Sequence, residues 1–260
     1  QEILQYELKK ALIKNNAKSA NGIIMDPFSG EIIAMASLPD FNLNSYQNLP
    51  SDSSHFYYTN RVISEPYEPG STFKIINFAN AIDKGLYTNK KYYCENGIYK
   101  NNYIQPFKDH DPYDSLSFND IFIYSSNIGT IKVFEESSKK SFYNKMKEFG
   151  FGIKTNISLK SENSGNIREL KYYTNNSRDL ASASIGQSIS VTNLQLVLAY
   201  SSIANGGYLM KPKIIKKIKT KNDSVVFNKP NIIRRTVLKN TSKYFTSILN
   251  EVVNKGTGKK

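Results

Sequence analysis

Ser71 and Lys74 are the pair in this 260-residue chain whose types and spacing best fit covalent chemistry. Pro69-Gly70 ahead of them is a turn and breaker pair. Ser71 then opens a run to Lys84 that reads as a helix and stops at Gly85, a residue suited to a left-handed C-terminus. A serine at a helix N-terminus sits among unpaired backbone N–H groups and the positive end of the helix dipole, both of which favour developing negative charge. Lys74 lies one turn on, on the same face, so its ammonium is expected to reach the Ser71 hydroxyl. Phe73 and Ile75 flank it, and desolvation among such side chains lowers a lysine toward the range of a general base. A serine beside a base is the activated-nucleophile pattern. The same spacing also fits an N-cap serine followed by a surface lysine, and taken alone it is common.

The elements that must hold this pair are legible from periodicity. Phe73, Ile75, Ile76, Phe78, Ala79, Ala81 and Ile82 spread around nearly the whole circumference of the run, which predicts a helix passing through the core. Ahead of it, 1–16 reads as an amphipathic helix with Ile3, Leu4, Leu8, Ala11 and Leu12 on one side. Residues 21–25 and 31–36, joined by Asp26-Pro27-Phe28-Ser29-Gly30, read as a hairpin. The stretch 38–68 has little periodicity and is long enough to be a functional connection. Short strands are expected near 92–94 and 97–100, and Ser117 to Asp120 reads as a capping box opening a helix. That helix runs into Ser125-Ser126-Asn127, after which helical spacing resumes over 128–136 and again over 140–149. Thr155 to Lys160 alternates like a strand, and 161–177 reads as a polar loop. Ile185-Gly186-Gln187 reads as a tight turn, and Thr192 caps a helix over 194–204. Strands are expected at 213–220 and 225–227 around an Asn222-Asp223 turn, then a last helix over 242–253.

Composition narrows the classes of function. The net charge is +13, but the lysines are scattered and its densest runs, 211–221 and 233–239, alternate with apolar residues. A nucleic-acid reader concentrates its charge on one element, so no nucleic-acid partner is expected. A basic face toward an anionic membrane or wall polymer stays open. Cys94 is the sole cysteine, so it forms no internal disulfide and reads as structural. His55 and His110 are too few and too isolated for a metal site, and no metal is expected. No apolar run is long enough to span a bilayer, and the chain begins at Gln1, the pattern of a fragment.

Taken together, these motifs resemble the transpeptidase domain of class B penicillin-binding proteins, the enzymes that cross-link bacterial peptidoglycan. That family carries a serine–lysine signature, a Ser-x-Asn element and a Lys-Thr-Gly element. Ser71-Thr72-Phe73-Lys74 resembles the first and Ser125-Ser126-Asn127 the second. The likeness extends to Asn60-Arg61-Val62-Ile63 through Ser71 and to the hairpin segment 30–37. It continues through Ser184-Ile185-Gly186-Gln187, Ile189 to Thr192, and Ala204-Asn205-Gly206-Gly207, so it covers essentially all of 1–260 in order. It leans toward the septal, division-specific branch through Pro66 to Gly70 and Ile189 to Thr192. The third element is missing: no Lys-Thr-Gly occurs in the sequence. Lys255-Gly256-Thr257 has the letters in the wrong order and follows a helix, and it resembles the segment that precedes the element. The resemblance thus implies one α/β (α+β) transpeptidase domain over 1–260, shared in fold with the serine β-lactamases. It would have an antiparallel sheet flanked by helices, an all-helical subdomain, and its C-terminal strands missing.

The resemblance also implies the chemistry. Ser71 would be the nucleophile toward the D-alanyl-D-alanine end of a peptidoglycan stem peptide, and Lys74 its general base. Ser125 would relay a proton to the leaving D-alanine, and Asn127 would hold the substrate amide and Lys74. The Ser71 N–H would supply half of an oxyanion hole. β-Lactam antibiotics would acylate Ser71, and no cofactor is implied. A membrane anchor and pedestal domain would precede the chain, placing it outside the bacterial inner membrane with divisome membrane proteins as partners. Two other readings stay open: a β-lactam-hydrolysing or β-lactam-sensing relative, and a truncated non-catalytic scaffold that docks division partners. Glu162 and Glu169 lie in no matching motif for a deacylating base and read as solvated loop carboxylates, and Gly186-Gln187 receives no catalytic role.

Overall fold

The structure is a computed structural model, and it describes residues 1–48, 54–87, 89–100, 105–222 and 225–259. Its centre is the helix Lys74–Asp83, in which every residue from Lys74 to Ile82 is buried. This is what the all-round apolar pattern predicts, since such a helix has no face to spare for water. Against it pack Asn127–Glu135, Lys139–Glu148, Ser177–Ser184 and the long last helix Lys239–Asn254. Their contacts form the larger core, built on Phe73, Phe78, Ile131, Phe142 and Phe245. A smaller core lies beside it, where Met25, Val62, Ile63, Leu194, Leu198 and Leu209 meet.

The first hairpin forms as expected. Ala20–Met25 pairs antiparallel with Ile32–Leu38. The helix Glu2–Lys14 packs against it, with Leu4 and Leu8 filling the space that a side chain at Gly22 would occupy. Ile3 and Ala11, expected on the packed side, are exposed. Asn193–Ala204 covers the hairpin from the interior of the molecule and starts with the capping box formed by Thr192 and Gln195. The strands around 92–94 and 97–100 appear as Lys91–Tyr93 and Ile98–Tyr99, paired with Ser115–Ser117 and Phe107–Lys108 respectively. Among the described residues the strands form two-stranded pairs, all antiparallel.

Some local expectations need correcting. The segment 155–160 forms no strand, because the Glu162 carboxylate accepts from Thr155 N at 2.7 Å, from Thr155 Oγ1 at 2.6 Å and from Asn156 N at 3.1 Å, folding the chain back on itself. Glu162 is therefore a half-buried loop organiser and not a solvated carboxylate. The supposed loop 161–177 contains the helix Leu170–Asn175, and two short strands, Tyr208–Met210 and Ile232–Arg235, form a pair of which only the second overlaps an alternating run, that at 233–239. Lys217–Lys219 pairs with Val225–Phe227, but Asp223 of the expected turn lies outside the described residues.

Candidate active site

The helix that carries the candidate nucleophile starts differently from the simple reading. Gly70–Phe73 is a single turn of 3-10 helix that passes directly into the α-helix at Lys74. Gly70 stands at φ +56°, a left-handed conformation that a side-chain-bearing residue adopts at a cost. The chain arriving at Ser71 is laced to 186–191. Tyr67 and Val191 exchange two backbone hydrogen bonds of 2.9 Å, and Gly70 N donates to Gly186 O at 3.0 Å. Ser188 N donates to the Glu68 carboxylate at 2.8 Å. Gly186, at φ +79°, comes so close that a Cβ there would lie 2.0 Å from the Gly70 carbonyl oxygen. From the other side the Tyr200 hydroxyl donates to Thr72 O at 2.9 Å. Burial pushes this phenol up to about 12, so it stays a neutral donor.

The turn sorts its side chains between water and core. Ser71 and Thr72 are exposed, whereas Phe73 is buried edge-on against Phe151 and Lys74 is 1 % exposed. Lys74 Nζ donates to Ser125 O at 2.5 Å and to Ser125 Oγ at 3.0 Å. Among the described residues no side chain carries a carboxylate to within ion-pair distance of it. Burial lowers Lys74 to about 7, with the negative charge of Asp109 pulling the other way. A lysine near 7 is half neutral at neutral pH and has a lone pair to accept a proton. The expected direct Lys74–Ser71 hydrogen bond does not form. Ser71 Oγ has no hydrogen-bond partner among the described residues, and Ser125 is what Lys74 holds. Contacts of this kind are often loose before substrate binds.

Ser125 belongs to a tight turn between Phe118–Ile123 and Asn127–Glu135. It sits at φ +60°, a strained setting for a serine. Ser126 N donates to Ile121 O at 3.0 Å, and Ser126 Oγ caps the second helix by accepting from Gly129 N at 2.9 Å. Gly129 is required for the close crossing, since a Cβ there would lie 2.6 Å from Ile121 Cγ1. Asn127 Nδ2 donates to Lys108 O at 2.9 Å, so its amide is pinned to the neighbouring strand, and it is not among the partners of Lys74. The structure therefore brings Lys74 and Ser125 into contact, with Asn127 two residues along the same turn and Ser71 at the mouth of the same helix.

Three supporting groups escape sequence reasoning. Asp109 accepts from Ser126 Oγ at 2.7 Å, from Ile128 N at 3.0 Å and from Asn127 N in a short hydrogen bond. Gly186 and Tyr200 buttress the nucleophile turn. Only Gly186 carried a signal, as the centre of a turn flanked by small residues. Asp109 lies in an acidic and basic run, and nothing in its spacing links it to Ser125.

Residues 21–260 match the family model described as the penicillin binding protein transpeptidase domain. The chain belongs to this family. Within it the chain is a class B transpeptidase domain. It is 32% identical to the stage V sporulation protein D of Bacillus subtilis, over 100% of this chain and 40% of that protein. It is 29% identical to the peptidoglycan D,D-transpeptidase FtsI of Escherichia coli, over 84% of this chain and 36% of that protein. Among solved structures, penicillin-binding protein 3 of Mycobacterium tuberculosis in complex with aztreonam superposes with a TM-score of 0.87 and 25% identity. That likeness covers 99% of this chain and 57% of the other. The transpeptidase domain of Burkholderia pseudomallei penicillin-binding protein 3 gives a TM-score of 0.82 at 25% identity, over 99% of this chain and 69% of that one. The chain spans well under half the length of these curated relatives.

Proposed function

We propose that this domain performs serine acyl transfer on peptidoglycan stem peptides, as a D,D-transpeptidase, and that β-lactams acylate it at the same serine. The observation that carries the reading is the pairing with Ser125 of a buried lysine, lowered to about 7, one turn beyond an exposed serine at the mouth of the lysine's helix. Ser71 Oγ attacks the carbonyl carbon between the terminal D-alanines while its proton passes to neutral Lys74. The oxyanion forms beside the Ser71 N–H at the positive end of the helix. As the C–N bond breaks, the proton returns through Ser125 to the departing D-alanine nitrogen. The freed amine leaves an ester on Ser71, and an amine of a neighbouring stem takes the acyl group in turn. Asn127 sits where it would orient the substrate amide, its own Nδ2 held by Lys108 O. A second oxyanion donor would come from a strand beside the nucleophile; loss of one such donor costs about a hundred- to a thousand-fold in rate.

Residues 1–260 would then be one transpeptidase unit of a longer protein, with a membrane anchor holding it outside the cytoplasmic membrane and divisome proteins as partners. Support comes from the family match, from the septal likeness of Pro66 to Gly70 and from relatives named FtsI. No helix among the described residues is long and apolar enough to cross a membrane.

Incubation with a fluorescent penicillin, followed by intact-mass measurement, tests the reading. A stable adduct that disappears in Ser71→Ala supports it. Rapid release of hydrolysed drug would make the domain a β-lactamase, and a folded protein that takes no label would make it a scaffold.

A further inference from the structure

Asp109 is held with unusual care for a residue on a surface strand end. Its own N–H donates to Gly97 O at 3.1 Å, and Gly97, at φ +91°, packs so tightly that a Cβ would lie 3.2 Å from Pro112 Cα. From that anchored position the carboxylate takes three hydrogen bonds from consecutive residues, Ser126, Asn127 and Ile128. Two come from backbone N–H groups in the first turn of Asn127–Glu135, so Asp109 caps that helix from outside the chain segment that forms it. The preceding carbonyl, Lys108 O, takes the Asn127 side chain at 2.9 Å. Lys108, the last residue of its strand, and Asp109 directly after it thus hold Asn127 by side chain and backbone together. The strained Ser125 stands immediately before this clamped stretch.

We infer that Asp109 is a positioning residue for acyl transfer: it clamps the Ser125–Asn127 turn in the shape that presents Ser125 to Lys74. The inference rests on the acyl-transfer reading for its catalytic consequence, though not for its effect on Lys74. Several other ionisable groups on the surrounding elements have partners of their own. Glu68 takes Ser188 N, Lys132 pairs with Glu95, Lys145 with Asp83 and Lys255 with Glu251. Asp179 takes the Tyr172 hydroxyl, Arg178 lies over the Phe107 ring, and Tyr200 donates to Thr72 O. Asp109 is the group whose charge acts on Lys74 against its burial.

Two variants separate clamp from charge. Asp109→Asn keeps the side-chain shape and one acceptor oxygen but loses the charge; Asp109→Ala loses every acceptor. Lysine labelled with carbon-13 at Cε gives the Lys74 titration midpoint by NMR, with its resonance assigned by its loss in Lys74→Met. The midpoint should fall in Asp109→Asn, since a nearby anion that favours the ammonium has gone. Acylation by a fluorescent penicillin should drop about tenfold in Asp109→Asn and further in Asp109→Ala, while the acid limb of the Asp109→Asn pH profile moves to lower pH. A group that served stability alone would lower the plateau and leave both midpoints in place, and that result overturns the inference. So does an unchanged acylation rate in Asp109→Asn. If the native protein takes no label, the acyl-transfer reading fails, and the Lys74 midpoint still decides the role of Asp109.

Discussion

Two buried lysines in this domain have opposite surroundings. Lys74 is 1 % exposed and Lys145 is 8 % exposed, and they come from two helices packed against each other. Lys145 Nζ lies 2.8 Å from an Asp83 carboxylate oxygen and 2.7 Å from Glu148, and it also donates to Thr236 O at 2.9 Å. Asp83 in turn accepts from Thr241 Oγ1 and from Leu238 N, so the network ties the nucleophile helix to the last helix. Lys74 finds only the neutral oxygens of Ser125, and its nearest influential anion acts from beyond ion-pair distance. A buried ammonium with a touching carboxylate is a structural pin; one with neutral acceptors gives up its proton near neutrality. Both lysines are buried, and what separates the proposed base from the pin is the partner each one meets.

The comparison breaks most visibly on paired substitutions. Lys74→Ala should lower penicillin acylation by about a hundred- to ten-thousand-fold, the range of a lost general base, with little loss of thermal stability. Lys145→Met should leave the acylation rate close to native and instead cost about 3 kcal/mol, because Asp83 keeps a partly buried charge without its main partner. A chemical denaturation series on both variants checks the split; similar stability losses would erase the distinction.

Gly186→Ala attacks the scaffold behind the base. A Cβ 2.0 Å from Gly70 O, at φ +79°, forces the 186–191 strap away from the nucleophile turn. Acylation should fall at least about tenfold, measured as the second-order rate with a fluorescent penicillin at fixed pH. A weaker perturbation is Tyr200→Phe, which removes only the hydroxyl that donates to Thr72 O. A loss of a few-fold in the same rate is expected, about the worth of one hydrogen bond.

Stability against pH gives the subtlest test. The folded pKa of Lys74, about 7, lies below the ordinary 10.5 of the unfolded chain. Between those values the unfolded state binds the extra proton, so stability rises with pH across the window. Below about 7 both states are protonated, and the burden of the buried ammonium is present in full. Lys74→Met should therefore stabilise the protein at pH 6 and flatten this component, visible as a smaller change in denaturation midpoint between pH 6 and pH 10. A steeper change in the variant would contradict the assignment.

How much of this was legible beforehand depends on the range of the forces involved. Lys74–Asp83 could be read as a core helix because its apolar residues repeat within a few positions, and Thr192 announced a cap by its residue type and place, though its partner Gln195 was not foreseen. Ser71, Lys74, Ser125 and Asn127 could be proposed as a set through family likeness, and the structure joins Lys74 to Ser125 across 51 positions. The clamp by Asp109 and the strap through Gly186 could not be read. Each depends on hydrogen bonds between segments whose register no local pattern encodes. The misread strand at 155–160 has the same origin, since alternation there was overridden by three hydrogen bonds to Glu162. The 3-10 turn at Gly70–Phe73 begins where Gly70 is bound to Gly186, a contact also invisible in the sequence around Ser71.

On the proposed function, Lys74 is the base that activates Ser71. The most direct measurement is the rate of Ser71 acylation by a fluorescent penicillin from pH 5 to pH 9, in the native protein and in Lys74→Ala. The expected result is a rate that rises through a midpoint near pH 7 and then levels, with that limb absent from the residual rate of the variant. A rate independent of pH across this range, or a limb that survives the loss of Lys74, would contradict it.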